Sequence, residues 1–186
     1  AQEWRFAQGQ DRFAALYHYK TADHAMGSLA RYRWGEWGYQ ETLLQLRIGT
    51  RPEATIWINH PGEIIQSGFA RPSYWGGCGT IARVHQYKGL AVLAFETRPE
   101  QVQFTHAWFP RDMFDASRVA GPLALAQSGE GLVLIRGSAD FTEIADGPSG
   151  GAELRLMAAR TLWIVRLGQK AATPDLDAMA ARFGGL

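Results

Sequence analysis

The sequence predicts an all-β protein, an antiparallel β-sandwich of about eight or more strands with one short C-terminal helix. Three observations predict it: the dominant hydrophobic period is two, Gly, Pro, Asp and Ser separate the short periodic segments, and almost no helical pattern lies between them. Short strands without intervening helices are typical of a sandwich rather than of alternating strand–helix units. With 186 residues, 46% of them hydrophobic, we expect residues 1–186 to form one domain.

Alternation of side chains defines each predicted strand. In the first of them, Tyr17 and Tyr19 share one face while His18 and Lys20 share the other. The dipeptide Lys88-Gly89 separates two strands and favours a tight hairpin turn. The predicted strands are Arg12–Lys20, Tyr39–Ile48, Thr55–Asn59, Thr80–Tyr87, Leu90–Thr97, Val102–Trp108, Gly131–Gly137 and Thr161–Leu167.

A helical pattern replaces the alternation only near the C-terminus, over about 174–183. Thr173 is the predicted N-cap, Pro174 suits the first helical position, and Asp175 favours the positive end of the helix dipole. An apolar stripe predicts that this helix closes the sandwich by packing on a sheet. The stripe contains Leu176, Met179, Ala180 and Phe183, and Gly184-Gly185 follows it.

Composition and charge exclude several classes of function. The net charge is +1 and the basic residues are scattered, so the sequence predicts neither a nucleic-acid partner nor a membrane partner. Cys78 is the single cysteine, so no internal disulfide can form, and both a cytoplasmic and a periplasmic location remain open. The chain opens on Ala-Gln-Glu-Trp without Met or a signal peptide, and we expect a larger parent protein that extends upstream.

No cofactor and no metal are predicted. A dinucleotide fingerprint, a phosphate-binding loop and a Cys-x-x-Cys pair are all missing from the sequence. The five histidines have no compact ligand spacing, so any metal site would have to be assembled across strands.

Five groups of residues have side chains suited to binding or proton transfer. His18 and Lys20 could bind an acidic sugar, or they could lie on a solvated sheet edge with the Tyr rings packed inward. Trp34 and Trp37 could stack on sugar faces, or they could plug the end of the core. His60 precedes Pro61 at the end of a predicted strand, where it could belong to a functional site or could be a hydrogen-bonded residue of a turn.

The fourth group is the loop that contains Tyr74 and Trp75, together with Arg83 on the following strand. Clusters of Trp, Gly and Arg ahead of a strand often form ligand-facing loops. The fifth is His106, which bulky apolar residues surround in the sequence, and which we expect to be a buried structural histidine.

Six motifs resemble one known family when they are taken in order. They are His-Tyr-Lys-Thr-Ala-Asp (18–23), Gly-Glu-Trp-Gly-Tyr-Gln-Glu (35–41), Asn-His-Pro (59–61), Tyr-Trp-Gly-Gly-Cys-Gly (74–79), Arg-Val-His-Gln (83–86) and Thr-His-Ala-Trp-Phe-Pro (105–110). Over most of its length the chain resembles the C-terminal β-sandwich region of bacterial heparinase II/III-like proteins, which are related to polysaccharide lyases.

The resemblance implies a role beside an N-terminal helical domain of the parent chain. In such lyases a glycan cleft lies between the two domains, and the reaction is β-elimination at a uronic acid. The comparable stretch 38–42 lacks the family's His-x-His-x-Asp pattern, so we expect the chain alone not to be catalytic. The resemblance implies catalytic roles for His18 and His60 and places Lys20 and Arg83 at the cleft as substrate-binding residues. The other predicted substrate-binding residues are the aromatic side chains Tyr17, Trp34, Trp37, Tyr74 and Trp75.

Three functions follow as expectations. The first is an accessory domain that lines a cleft for an acidic polysaccharide or oligosaccharide, with His18, Lys20, His60 and Arg83 converging at one rim. The second is a stand-alone carbohydrate-binding module, and the third is a structural sandwich that mediates contacts between domains or subunits.

Overall fold

The computed structural model describes residues 1–8, 14–31, 42–64, 71–80, 82–145 and 150–185. Within these residues the chain forms fourteen strands, a 3₁₀ turn at Arg111–Met113 and one α-helix, α1 (Leu176–Phe183). The strands are β1 (Gln2–Gln8), β2 (Ala14–Lys20), β3 (His24–Ala30), β4 (Leu44–Ile48), β5 (Thr55–Asn59), β6 (Arg83–Tyr87), β7 (Leu90–Glu96), β8 (Thr105–Trp108), β9 (Ala116–Ala120), β10 (Leu123–Ser128), β11 (Gly131–Gly137), β12 (Thr142–Ile144), β13 (Glu153–Leu156) and β14 (Arg160–Gln169). In the described part of the chain, no helix has the length and apolarity needed to cross a bilayer.

The strands form two antiparallel sheets, which confirms the predicted sandwich. The larger sheet has the order β1-β2-β3-β4-β5-β8-β13-β12, and the smaller has the order β6-β7-β14-β11-β10-β9. Since β5 pairs with β8, the chain leaves the larger sheet to form the β6–β7 hairpin and then returns beside β5. In that hairpin Lys88 has φ 50°, as a tight turn requires.

The core lies between the inner faces of the two sheets. The larger sheet contributes Met26, Leu46 and Ile56, and the smaller contributes Leu93 and Val165. All five side chains are at most 1% exposed. Burial of one such side chain stabilises the fold by about 1.5–3 kcal/mol.

The helix packs on the outer face of the smaller sheet, as its apolar stripe predicts. Met179 is fully buried there against Leu125 and Leu134. The predicted N-cap is wrong: Asp175 caps the helix, its Oδ1 accepting the Ala178 N–H at 2.8 Å. The backbone N–H of Thr173 instead donates to Gln169 at the end of β14, so the helix begins two residues later than predicted.

Candidate functional site

A row of side chains crosses the outer face of the larger sheet from β1 to β8. Each member is the direct cross-strand partner of the next, so all of them point to one side. That side faces away from the core, because the alternating residues Met26, Leu46 and Ile56 are buried between the sheets. This aromatic row contains Trp4, His18, Gly27, Gln45, Trp57 and Trp108.

Three indole rings meet at the β5–β8 end of the aromatic row. Trp57 and Trp108 are stacked across the strands, with ring centroids 5.3 Å apart and an interplanar angle of 8°. Trp75, from the loop before β6, meets both edge-on at 6.2 and 5.5 Å. All three rings are half-buried, so they present apolar surface without being free to turn.

The β1 end of the row is also aromatic. Trp4 and Phe6 are 45% and 47% exposed, and the imidazole of His18 stacks on Phe6 at 5.7 Å and 9°. The His18 ring lies over Gly27, where an added Cβ would come within 2.8 Å of Nδ1. Glycine at position 27 therefore lets the imidazole lie close to the sheet.

A second row runs parallel to the first on the same face, two residues further along each strand. Its members are also direct cross-strand partners. It carries two positive charges, Lys20 on β2 and Arg47 on β4, and from β1 to β5 neither row contains a carboxylate. Among the described residues, neither cation has an ion-pair partner. This cationic row contains Gln2, Lys20, Ala25, Arg47 and Thr55.

A buried polar network lies against Trp75. Oε1 of Glu153 accepts hydrogen bonds from the Tyr74 hydroxyl at 2.6 Å, from Nδ1 of His106 at 3.1 Å and from Nε of Arg155 at 2.7 Å. Trp75 stacks on the His106 ring at 4.2 Å and 7°. The network therefore fixes the imidazole on which Trp75 rests.

Burial and hydrogen bonding set the protonation states in this network. Burial opposes ionisation of Glu153, but hydrogen bonds from His106, Arg155 and Tyr74 outweigh it and lower the pKa of this carboxyl to about 2. Burial lowers the pKa of His106 despite the neighbouring carboxylate, so the imidazole is neutral. Burial and the bond to Glu153 raise the pKa of the Tyr74 hydroxyl to about 12.

The predicted site residues divide into those at the surface and those that are buried. His18, Lys20 and Trp75 lie on the outer face of the larger sheet. Tyr17 points inward, where its hydroxyl accepts the Lys88 N–H at 2.8 Å. Tyr74 is 1% exposed and offers no free ring face, because its ring and hydroxyl are both used in the buried network.

His60 is a buried residue at the end of β5. It is 1% exposed, its Nε2–H donates to the Val102 carbonyl at 2.7 Å, and burial lowers its pKa to about 4. An added Cβ at Gly79 would lie 2.6 Å from its Nδ1. Trp34 and Trp37 lie outside the described residues.

Arg83 lies on the outer face of the smaller sheet, on the opposite side of the sandwich from His18 and Lys20. It borders a groove of about 640 Å³ that is also lined by Glu96 and Arg160. The expected convergence of His18, Lys20, His60 and Arg83 at one rim is therefore wrong. Its physical reason is the β6–β7 excursion, which carries Arg83 into the other sheet.

The sequence did contain a signal for part of the aromatic row. Alternation in Thr55–Asn59 places Trp57 opposite Ile56 and Ile58, so an indole on the outer face follows from the period alone. The position of Trp108 beside it depends on the β5–β8 pairing, which joins residues about fifty positions apart in the chain.

Within the described residues, no group of three or more His, Cys, Asp or Glu side chains is arranged to hold a metal ion.

Comparison of the chain with known protein families, curated proteins and solved structures finds no match. Fold and site geometry define a β-sandwich with one aromatic and cationic outer face.

Proposed function

We propose that this chain is a non-catalytic, glycan-binding β-sandwich of a carbohydrate-active protein, and that an acidic polysaccharide binds the outer face of the larger sheet. The observation that carries the proposal is the aromatic row with the cationic row beside it on one face. The C–H face of a sugar ring is apolar and stacks on indole or phenyl rings. A carboxylate or sulfate on the same sugar would meet Lys20 or Arg47.

The buried network supports a binding role rather than a catalytic one for this chain. Of the two predicted catalytic residues, His60 is 1% exposed, and the surface imidazole of His18 is stacked on Phe6. Tyr74 and His106, whose side chains are also suited to proton transfer, are 1% and 0% exposed. Their partners Glu153 and Arg155 already use the Tyr74 hydroxyl and Nδ1 of His106. In this proposal the reacting groups come from the helical domain of the parent chain.

Replacement of Trp57 by Ala tests the proposal. We expect Trp57→Ala to weaken binding about tenfold, because it removes a stacking surface whose contribution is about 1.5 kcal/mol. The measurement is calorimetric titration of the 186-residue chain with heparin, alginate and polygalacturonate.

Tyr87 provides the matched control, since it is 61% exposed and lies on β6 in the other sheet. Tyr87→Ala is expected to bind as the wild type does. Unchanged affinity in Trp57→Ala, or an equal loss in Tyr87→Ala, would place the glycan elsewhere. Circular dichroism of both variants confirms that each is folded.

A second candidate function is a contact surface for another domain or subunit. The exposure of Trp4 and Phe6 side by side on an edge strand favours it, because exposed apolar patches often mark protein interfaces. Self-association in sedimentation experiments that Trp4→Ser abolishes, without any glycan binding, would favour this function over the first.

A further inference from the structure

We infer that the polysaccharide lies across the strands, along the aromatic row, and that two anionic groups on one edge of the polymer, two sugar rings apart, meet Lys20 and Arg47. This inference rests on the proposed function and adds the binding mode: an internal segment of a polymer is recognised rather than a chain end.

The direction of the polymer follows from where stacking surfaces repeat. Across the sheet, aromatic rings recur from β1 to β8, a distance of five strand spacings or about 24 Å. Along a strand, by contrast, the residues on either side of His18 or Trp57 on this face carry no aromatic rings. On β2 the neighbours of His18 on the same face are Leu16 and Lys20, and on β5 those of Trp57 are Thr55 and Asn59.

The middle of the row has no ring of its own, and the His18 imidazole covers Gly27. Gly27 has no side chain and Gln45 is exposed, whereas His18 on one side and Trp57 on the other carry rings. A sugar ring placed between His18 and Trp57 would have the exposed Gln45 amide within reach of its hydroxyls. Since β1 is the edge strand of the sheet, no other described strand of this sheet lies beyond Trp4 on that side.

The spacing of the cations indicates the charge pattern of the polymer. Lys20 and Arg47 lie on β2 and β4 with Ala25 between them, so their Cα atoms are two strand spacings or about 10 Å apart. One pyranose ring is too narrow to bridge that distance, whereas two linked rings match it. The cations flank only one side of the aromatic row, because on the other side the equivalent positions on β1 and β2 are Phe6 and Leu16.

Size-defined fragments test the binding mode. We expect heparin-derived or polygalacturonate-derived octasaccharides to bind the 186-residue chain at least about tenfold more tightly than the corresponding disaccharides. Trp4→Ala should weaken octasaccharide binding several-fold and leave disaccharide binding unchanged, because Trp4 is the last member of the row on β1.

The charge pattern has its own test and control. Lys20→Gln and Arg47→Gln should each weaken octasaccharide binding about fivefold and reduce its salt dependence, as loss of one partly exposed ionic contact does. Arg83→Gln, on the opposite face, should have no effect.

Two outcomes would overturn the inference. Disaccharides that bind as tightly as octasaccharides would show recognition of a chain end, and an equal effect of Arg83→Gln would show nonspecific attraction. Both outcomes leave the proposed function standing if Trp57→Ala still weakens binding of the polymer. Absence of binding by polymers and fragments alike would remove the proposed function itself.

Discussion

At the scale of single residues, burial decides which polar side chains can meet a ligand. The residue types of His18, His60 and Tyr74 all suit sugar binding or proton transfer. Only His18 lies at the surface, because cross-strand and loop neighbours cover the other two. Sequence predicts the chemistry of a side chain, whereas its exposure depends on partners that are distant in the chain.

The buried His60 gives the fold a predictable response to acid. Burial lowers its pKa from 6.5 to about 4, so between these values the unfolded chain binds more protons than the folded one. The free energy of unfolding should therefore fall as the pH falls from 6.5 to 4, by about 3 kcal/mol for this residue. Above pH 6.5 the stabilisation is fully present. Burial lowers the pKa of His24 and His106 as well, which adds in the same direction.

Urea unfolding of the wild type and of His60→Gln between pH 8 and pH 4 measures this response. The variant should have a shallower slope below pH 6.5, whatever its stability at pH 8. Parallel curves for the two proteins would show that His60 does not titrate in this window.

At the scale of elements, some strands follow from local sequence and others depend on pairing with distant strands. β5 and β11 match the prediction residue for residue, because Thr55–Asn59 and Gly131–Gly137 are rich in branched and apolar side chains. β3 contains Ala, Gly and Ser and β10 contains Ala and Ser, residues of low strand propensity, and pairing with neighbours on both sides forms these strands. Tertiary pairing outweighed local preference there.

The helix gives an element-scale prediction. Asp175→Ala should lower the free energy of unfolding by about 1 kcal/mol, since it leaves the Ala178 N–H without its cap. Asp175→Asn, whose side-chain oxygen can still accept that bond, should be close to the wild type. Thermal unfolding of the two variants in parallel distinguishes a cap from a charge effect: equal losses would attribute the stabilisation to the carboxylate's charge.

At the scale of the whole molecule, the candidate site exists only because distant segments pair in register. The aromatic row needs β1 through β5 aligned and then β8 inserted beside β5. The sequence predicted the class of fold from its alternation, but not this strand order. The aromatic row and the position of Arg83 on the other sheet both follow from that order, so neither could be derived from local patterns.

The Tyr17 side chain is one of those that link the two sheets by hydrogen bonds, and its removal tests how much such a link stabilises the sandwich. The Tyr17 hydroxyl donates to Glu3 Oε2 at 2.6 Å within the larger sheet and accepts the N–H of Lys88, in the turn of the smaller sheet, at 2.8 Å. Tyr17→Phe leaves the partly buried Lys88 N–H without a partner, so it should lower the free energy of unfolding by about 1–3 kcal/mol. Faster amide hydrogen exchange should appear in β1 and in the β6–β7 turn together. Tyr87→Phe, at an exposed position, should change neither quantity. A Tyr17→Phe variant as stable as the wild type would show that this hydrogen bond does not help to hold the sheets together.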